Sequence, residues 1–189
     1  MPGLLHKITN LKFFNQLKDK SKEDYYMKDG KIGVLFVCLG NICRSPSAQG
    51  IFQHKVDQLG LSEHFLVDSC GTAPFNVGKS PDKRALEATS RYGYNISEQI
   101  ARQIQDEDYQ HFDYIIPMDR KNMMSLTAWK PADFTGEINL FMHYHPNSRG
   151  NTQIPDPYHE SVEKFFPIIE VLEEASDGLL QHIRNTHGI

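Results

Sequence analysis

Cysteine, tryptophan and long apolar runs are all scarce in this chain. Three cysteines and one tryptophan stand among 189 residues. Cys38, Cys43 and Cys70 are too few to frame a disulfide-stapled fold, and that usage suits a reducing compartment. No apolar stretch approaches the roughly 20 residues needed to span a bilayer, so no integral membrane segment is expected. The N-terminus has neither the apolar core nor the small-residue cleavage site of a secretory signal, and the expected location is cytoplasmic. Excess positive charge is also missing. Lys and Arg number 20 against 24 Asp and Glu, a formal net charge of −4 that leaves no nucleic-acid footprint. Internal repeats and low-complexity tracts do not occur. What remains is length enough for one domain with a full core, preceded by an extension.

Residues 1–30 form that extension, expected to be helical or partly ordered, and residues 31–189 the domain. Leu4, Ile8 and Leu11 sit at helical spacing with Leu5 and Phe14 beside them, and Lys7, Lys12 and Lys18 lie between. The charged run from Lys18 to Asp29 reads as a linker. A basic amphipathic helix can touch a membrane surface. A helix packed on its own domain, or a frayed extension, is the plainer reading.

The stretch from Val37 to Pro46 is the centre of the chain. Lys31–Val37 is short, apolar and rich in β-branched residues, as expected of a strand buried on both faces. Ser45-Pro46 is a helix-start pair, with Ser as N-cap and Pro at the first helical position. Ala48, Ile51, Phe52, Val56 and Leu59 then follow a helical period, and Gly60 ends it. A short loop thus joins a buried strand to a helix N-terminus. Its N–H groups, from Leu39 through Ser45, can converge on an anion with the helix dipole behind them. Gly40 is free to take a positive φ; Asn41 can do the same or pin the loop by its side chain.

Cys38 and Arg44 are separated by five residues across this cradle. The dipole and Arg44 favour the thiolate, which is the nucleophilic form. Arg44 offers a planar fork for two oxygens of a phosphoryl group, and Ser45 can hydrogen-bond the sulfur as it leaves. A lone cysteine after a strand is ordinarily a packed thiol. Strand, loop, Ser-Pro and helix together favour the catalytic reading.

The run Val34–Pro46 closely resembles the signature of the low-molecular-weight protein tyrosine phosphatases. The resemblance returns at Asp68-Ser69-Cys70-Gly71-Thr72, Ala101-Arg102-Gln103-Ile104, Phe112-Asp113-Tyr114-Ile115 and Asp156-Pro157-Tyr158, covering roughly residues 31 to 185. Strand and helix signals alternate along this span. Strands are expected at His64–Ser69, Asp113–Met118 and Glu137–Met142. Helices are expected to open at Ser80-Pro81, to follow an Asp119 cap with Met123, Leu126 and Trp129, and to run late in the chain to about Arg184, with Pro167 in its first turn or at a kink. Such alternation predicts an α/β three-layer sandwich on a parallel sheet, with a ligand site at the carboxyl ends of the strands. The resemblance adds four strands in the order 2-1-3-4, with the phosphate-binding loop after the first.

It also implies roles. Asp156, between two prolines that restrict it, corresponds to an acid that protonates the leaving phenolate and then activates water. Tyr158, Phe75 and Leu39 form the substrate pocket. Asn41 is held by Ser69 and by a polar residue near position 99, here Gln99. Ile42 stands where relatives acting on phosphoarginine carry Thr, which favours phosphotyrosine. His159 and Glu160 replace the family's second aromatic and glycine, leaving the chemistry intact and peptide preference open. Cys43 can form a reversible disulfide with Cys38 on oxidation. The implied substrate is a phosphotyrosine-containing protein, a tyrosine kinase being one candidate, with no cofactor. His143 and His145 lack a third convincing ligand, so no catalytic metal is expected. Arsenate reductases share the loop but need further cysteines downstream, and none follows Cys70. A module that merely binds phosphotyrosine would have no use for Asp156.

Overall fold

The computed structural model describes residues 30–148, 150 and 152–189, so the expected N-terminal helix and linker lie outside the described residues. Lys31–Ile189 forms a compact unit. Its frame is a parallel sheet of four strands: β1 (Ile32–Cys38), β2 (Phe65–Gly71), β3 (Tyr114–Pro117) and β4 (Glu137–Ile138), in the order β2-β1-β3-β4. Every residue of β1 is buried, as its central place requires. It pairs with β2 from Ile32↔Phe65 to Cys38↔Gly71 and with β3 from Val34↔Tyr114 to Val37↔Pro117. Strand order therefore reverses beside β1, and the loop after Cys38 leaves the sheet at that switch point.

Successive β1 side chains alternate between faces. Val34 and Phe36 join the core beneath α1 (Arg44–Gln58) and α5 (Phe166–His187), with Ile51, Phe52, Leu172 and Leu179. Phe36 is the hub of an aromatic cluster, 5.5 Å from Phe52 and 5.1 Å from Phe141 between ring centroids. The other face carries α3 (Asp108–His111) and α4 (Arg120–Trp129), where the Tyr109 hydroxyl donates to the Leu126 carbonyl at 2.9 Å. Between β2 and α3 lies α2 (Lys83–Arg91). Leu126 is buried, whereas Trp129 is half exposed at the end of its helix.

Three local expectations change. The run Glu137–Met142 is a strand only at Glu137–Ile138; Phe141–His143 is a 3₁₀ turn. Phe141 and Met142 are adjacent and both buried in the same core, which a strand, sending neighbours to opposite faces, cannot achieve. The first helix begins at Arg44, not after Ser45, and no side chain caps it. Ser45 lies inside the helix because its hydroxyl is turned toward Cys38, and the first-turn N–H groups are left for a ligand. The next helix starts at Lys83, since Asp82 rather than Ser80 accepts its first free N–H, from Arg84 at 2.9 Å. Other markers hold: Gly60 is left-handed just past α1, Asp119 caps α4, and Pro167 sits in the first turn of α5.

Burial pushes the hydroxyls of Tyr109 and Tyr144 up to about 12. An unfolded tyrosine ionises near pH ~10, so these two contribute their full stability below that value and lose it as pH rises through 12. Thermal unfolding midpoints should fall steeply between pH 10 and 12, and Tyr109→Phe with Tyr144→Phe should flatten that fall.

Candidate active site

Cys38 ends β1 with its thiol buried beneath the cradle. The Asn41 N–H donates to its sulfur at 3.2 Å, and the Ser45 hydroxyl shares a hydrogen bond with it at 3.1 Å. Asn41 adopts φ 53, the one left-handed non-glycine among the described residues. That conformation costs about 1 kcal/mol or more for an L-residue and persists only when its surroundings fix it. Here they do. The Asn41 amide nitrogen donates to the Ser45 and Ser69 hydroxyls, each at 2.9 Å, and its oxygen accepts the Arg102 N–H at 2.9 Å. Ser69 in turn donates to Gln49 at 2.7 Å.

Gln99 has no part in this network. Its amide donates to the Pro46 carbonyl at 3.1 Å, and Gln49 and the Arg102 backbone supply the contacts expected of it. A residue on the first helix, one turn beyond Ser45, reaches Ser69 more directly than one beyond the next helix. Gly40 keeps a negative φ; its bare Cα instead makes room for Asn76, whose amide nitrogen would lie 2.7 Å from an added Cβ. Gly71 is similarly constrained, since a Cβ there would sit 2.8 Å from the Leu39 carbonyl.

Arg44 lies at the floor, almost wholly buried, between two carboxylates. One terminal nitrogen donates to Asp119 at 2.7 Å and to the Ile154 carbonyl at 3.1 Å; the other donates to Asp156 at 2.8 Å. Burial works against the guanidinium charge, but the Cys38 sulfur and the two aspartates outweigh it and raise the Arg44 pKa. Asp119 was recognisable from sequence only as a cap. Its other oxygen does cap α4, accepting Asn122 N–H at 2.8 Å, so one side chain starts a helix and aims the arginine. A helix cap facing the end of β3 beside the cradle is the signal that marks it.

A cavity of about 370 Å³ opens above the sulfur, lined by the cradle, Arg44, Asp156 and the side chains of Phe75, Tyr158 and His159. Phe75 is 72% exposed and Tyr158 47%, so neither ring is taken up by the core. Leu39 is at the mouth. His159 was missed from sequence as a pocket residue. Cys43 lines the same cavity. Burial, then the neighbouring Asp82 and Cys38, push its thiol well above the ordinary range, so it keeps its proton. Cys70 is buried too, and its thiol is likewise raised by burial. His143 and His145 diverge: His145 pairs with Glu174 at 3.3 Å, while His143 stacks edge-on to Tyr144.

Residues 33–187 match the model of the family described as low molecular weight phosphotyrosine protein phosphatase. The chain belongs to that family. Its members are hydrolases, and the relatives agree in extent. The phosphatase of this name from Schizosaccharomyces pombe is 38% identical, over 80% of this chain and 97% of its own. Among solved structures, a protein tyrosine phosphatase from Entamoeba histolytica with Hepes in its active site is 32% identical. It covers 84% of this chain and 99% of its own, with a TM-score of 0.77. An arginine phosphatase from Drosophila is also 32% identical, covering 80% and 97%, with a TM-score of 0.74. Family membership thus fixes fold and hydrolase class, while two substrate chemistries occur among the neighbours.

Asn41→Ala removes all the side-chain bonds that hold the left-handed turn. Calorimetric titration with inorganic phosphate should show roughly tenfold weaker binding, about 1.4 kcal/mol, with the domain still folded.

Proposed function

We propose that this phosphatase hydrolyses phosphotyrosine in proteins through a phosphocysteine on Cys38, with Asp156 as acid and then base. The observation that carries this reading is the convergence of the Cys38 sulfur, the Arg44 guanidinium and the Asp156 carboxylate on one cavity of about 370 Å³.

The substrate dianion enters the cradle and takes the guanidinium edge bonded to Asp156. Asp119 keeps the other nitrogen of Arg44 in place. The thiolate attacks phosphorus in line as the phosphorus–phenol oxygen bond breaks. Asp156, which takes up a proton from solvent on leaving the guanidinium, gives that proton to the departing oxygen, freeing the tyrosine side chain of the protein. Loop N–H groups and Arg44 stabilise the equatorial oxygens, where negative charge collects. Water then attacks the phosphocysteine and loses a proton to Asp156. The phosphorus–sulfur bond breaks, and inorganic phosphate leaves a thiolate stabilised by Ser45 and the Asn41 N–H. No step calls for a metal or a cofactor.

Phe75 and Tyr158 supply aromatic walls for the phenyl ring. Ile42 puts carbon where the phosphoarginine-directed pattern has a hydroxyl, which supports phosphotyrosine over the specificity named for the Drosophila neighbour. Cys43, protonated and in the same cavity as Cys38, supports a protective disulfide after oxidation of the nucleophile; its raised pKa makes closure slow at neutral pH. The substrate is a phosphoprotein, and a tyrosine kinase fits that description.

Phosphate release from phosphotyrosine, phosphoserine and phosphoarginine peptides in the presence of EDTA tests the reading. Release from phosphotyrosine alone, abolished by Cys38→Ser and lowered roughly 10²–10⁴-fold by Asp156→Ala, is the expected result. Release from phosphoarginine in preference, or full activity of either variant, contradicts it.

A further inference from the structure

The turn that carries the acid is tied to the domain at one end by its own backbone. Ile154 is buried, and its N–H donates to the Met118 carbonyl at 2.8 Å. Beyond Asp156 the bonds become local: Tyr158 N–H to Asp156 at 3.2 Å, and Glu160 N–H to the Pro157 carbonyl at 2.9 Å. Among the described residues, the hydrogen bond that reaches from this downstream half to another element comes from Arg84, which donates to the Glu160 carbonyl at 2.6 Å.

Arg84 is itself fixed. Its fork holds both oxygens of Asp82, at 2.9 and 2.7 Å, and Asp82 caps α2. The Asp82 N–H donates to the Ile42 carbonyl of the cradle at 2.8 Å. The guanidinium carbon also lies 5.9 Å from the centroid of the Tyr158 ring and 5.3 Å from that of buried Phe165. A continuous path therefore runs from the cradle through Asp82 and Arg84 to the pocket wall and the acid turn. A lysine has the charge but not the planar, bidentate fork that makes this path rigid.

Resting on the phosphotyrosine reading, we propose that Arg84 is a positioning residue for the general acid. It sets the height of the Asp156–Glu160 turn above Cys38 without touching substrate phosphate. Proton donation matters most when the leaving oxygen is a poor one. A displaced acid therefore slows phenyl phosphates far more than nitrophenyl phosphates, whereas a general loss of packing slows all alike.

The test is kcat/KM of the wild type, Arg84→Lys and Arg84→Gln on aryl phosphates ranging from phenyl to dinitrophenyl phosphate. Thermal midpoints and the inhibition constant of inorganic phosphate are measured alongside. Both variants should lose roughly ten- to a hundredfold on phenyl phosphate and less than about threefold on dinitrophenyl phosphate, the scale of a misplaced group. Phosphate inhibition should be unchanged, because the cradle is intact. In an Asp156→Ala background, Arg84→Gln should add no further dependence on the leaving group. Equal losses across the series, no loss at all, or an added effect without Asp156 would overturn the proposal. A wild type inactive on every aryl phosphate would instead overturn the phosphatase reading beneath it.

Discussion

Everything at this site depends on one residue held where an L-amino acid does not readily stay. Asn41 turns left-handed, and that turn brings its own N–H onto the Cys38 sulfur. The side chain repays the strain by bonding Ser45 on the first helix, Ser69 on the neighbouring strand and the backbone of Arg102. Arg102 is no loose partner. Its half-buried side chain pairs with Asp68 at 2.8 Å and Asp108 at 2.9 Å, and its carbonyl accepts the Gly71 N–H. The cradle is thereby bolted to β2 on one side and to α1 on the other. It is preorganised before any phosphate arrives, and a site that is already in shape has less entropy to lose when an anion binds.

Charge at the floor follows from the same economy of space. Arg44 is buried with two aspartates and a sulfur, which compensate its charge. Of the two carboxylates, Asp119 is the more buried and is committed to the α4 cap, whereas Asp156 is 43% exposed on a turn at the cavity edge. The difference assigns their parts. In the proposed reaction the incoming dianion takes the place of the exposed partner and leaves the buried one to hold the arginine's plane.

The sequence carried the site's core plainly, because the constraints there are local. An apolar run followed by glycine, asparagine and a helix start dictates a strand, a loop and an anion cradle with little help from elsewhere. The helix boundary was misread by two residues because Ser45 is an N-cap residue type put to another use: its hydroxyl is turned to the sulfur. Glu137–Met142 misled because alternation and adjacency of buried residues are hard to tell apart in a run so short. Gln49 and Arg84 were invisible as site residues for a different reason. Their roles rest on long-range geometry, on which side chain of a helix faces which strand or turn, and polar residues on helices carry no local mark of that.

The central claim is that the sulfur of Cys38 bears the phosphoryl group during turnover. The most direct measurement is rapid acid quenching of the Asp156→Ala variant with phosphotyrosine peptide, followed by mass spectrometric mapping of the trapped phosphoryl group. The account predicts a single phosphoryl adduct on the peptide containing Cys38, lost on standing with release of inorganic phosphate. A phosphoryl group on a histidine or serine, or steady phosphate release with no covalent adduct at any time, would contradict it.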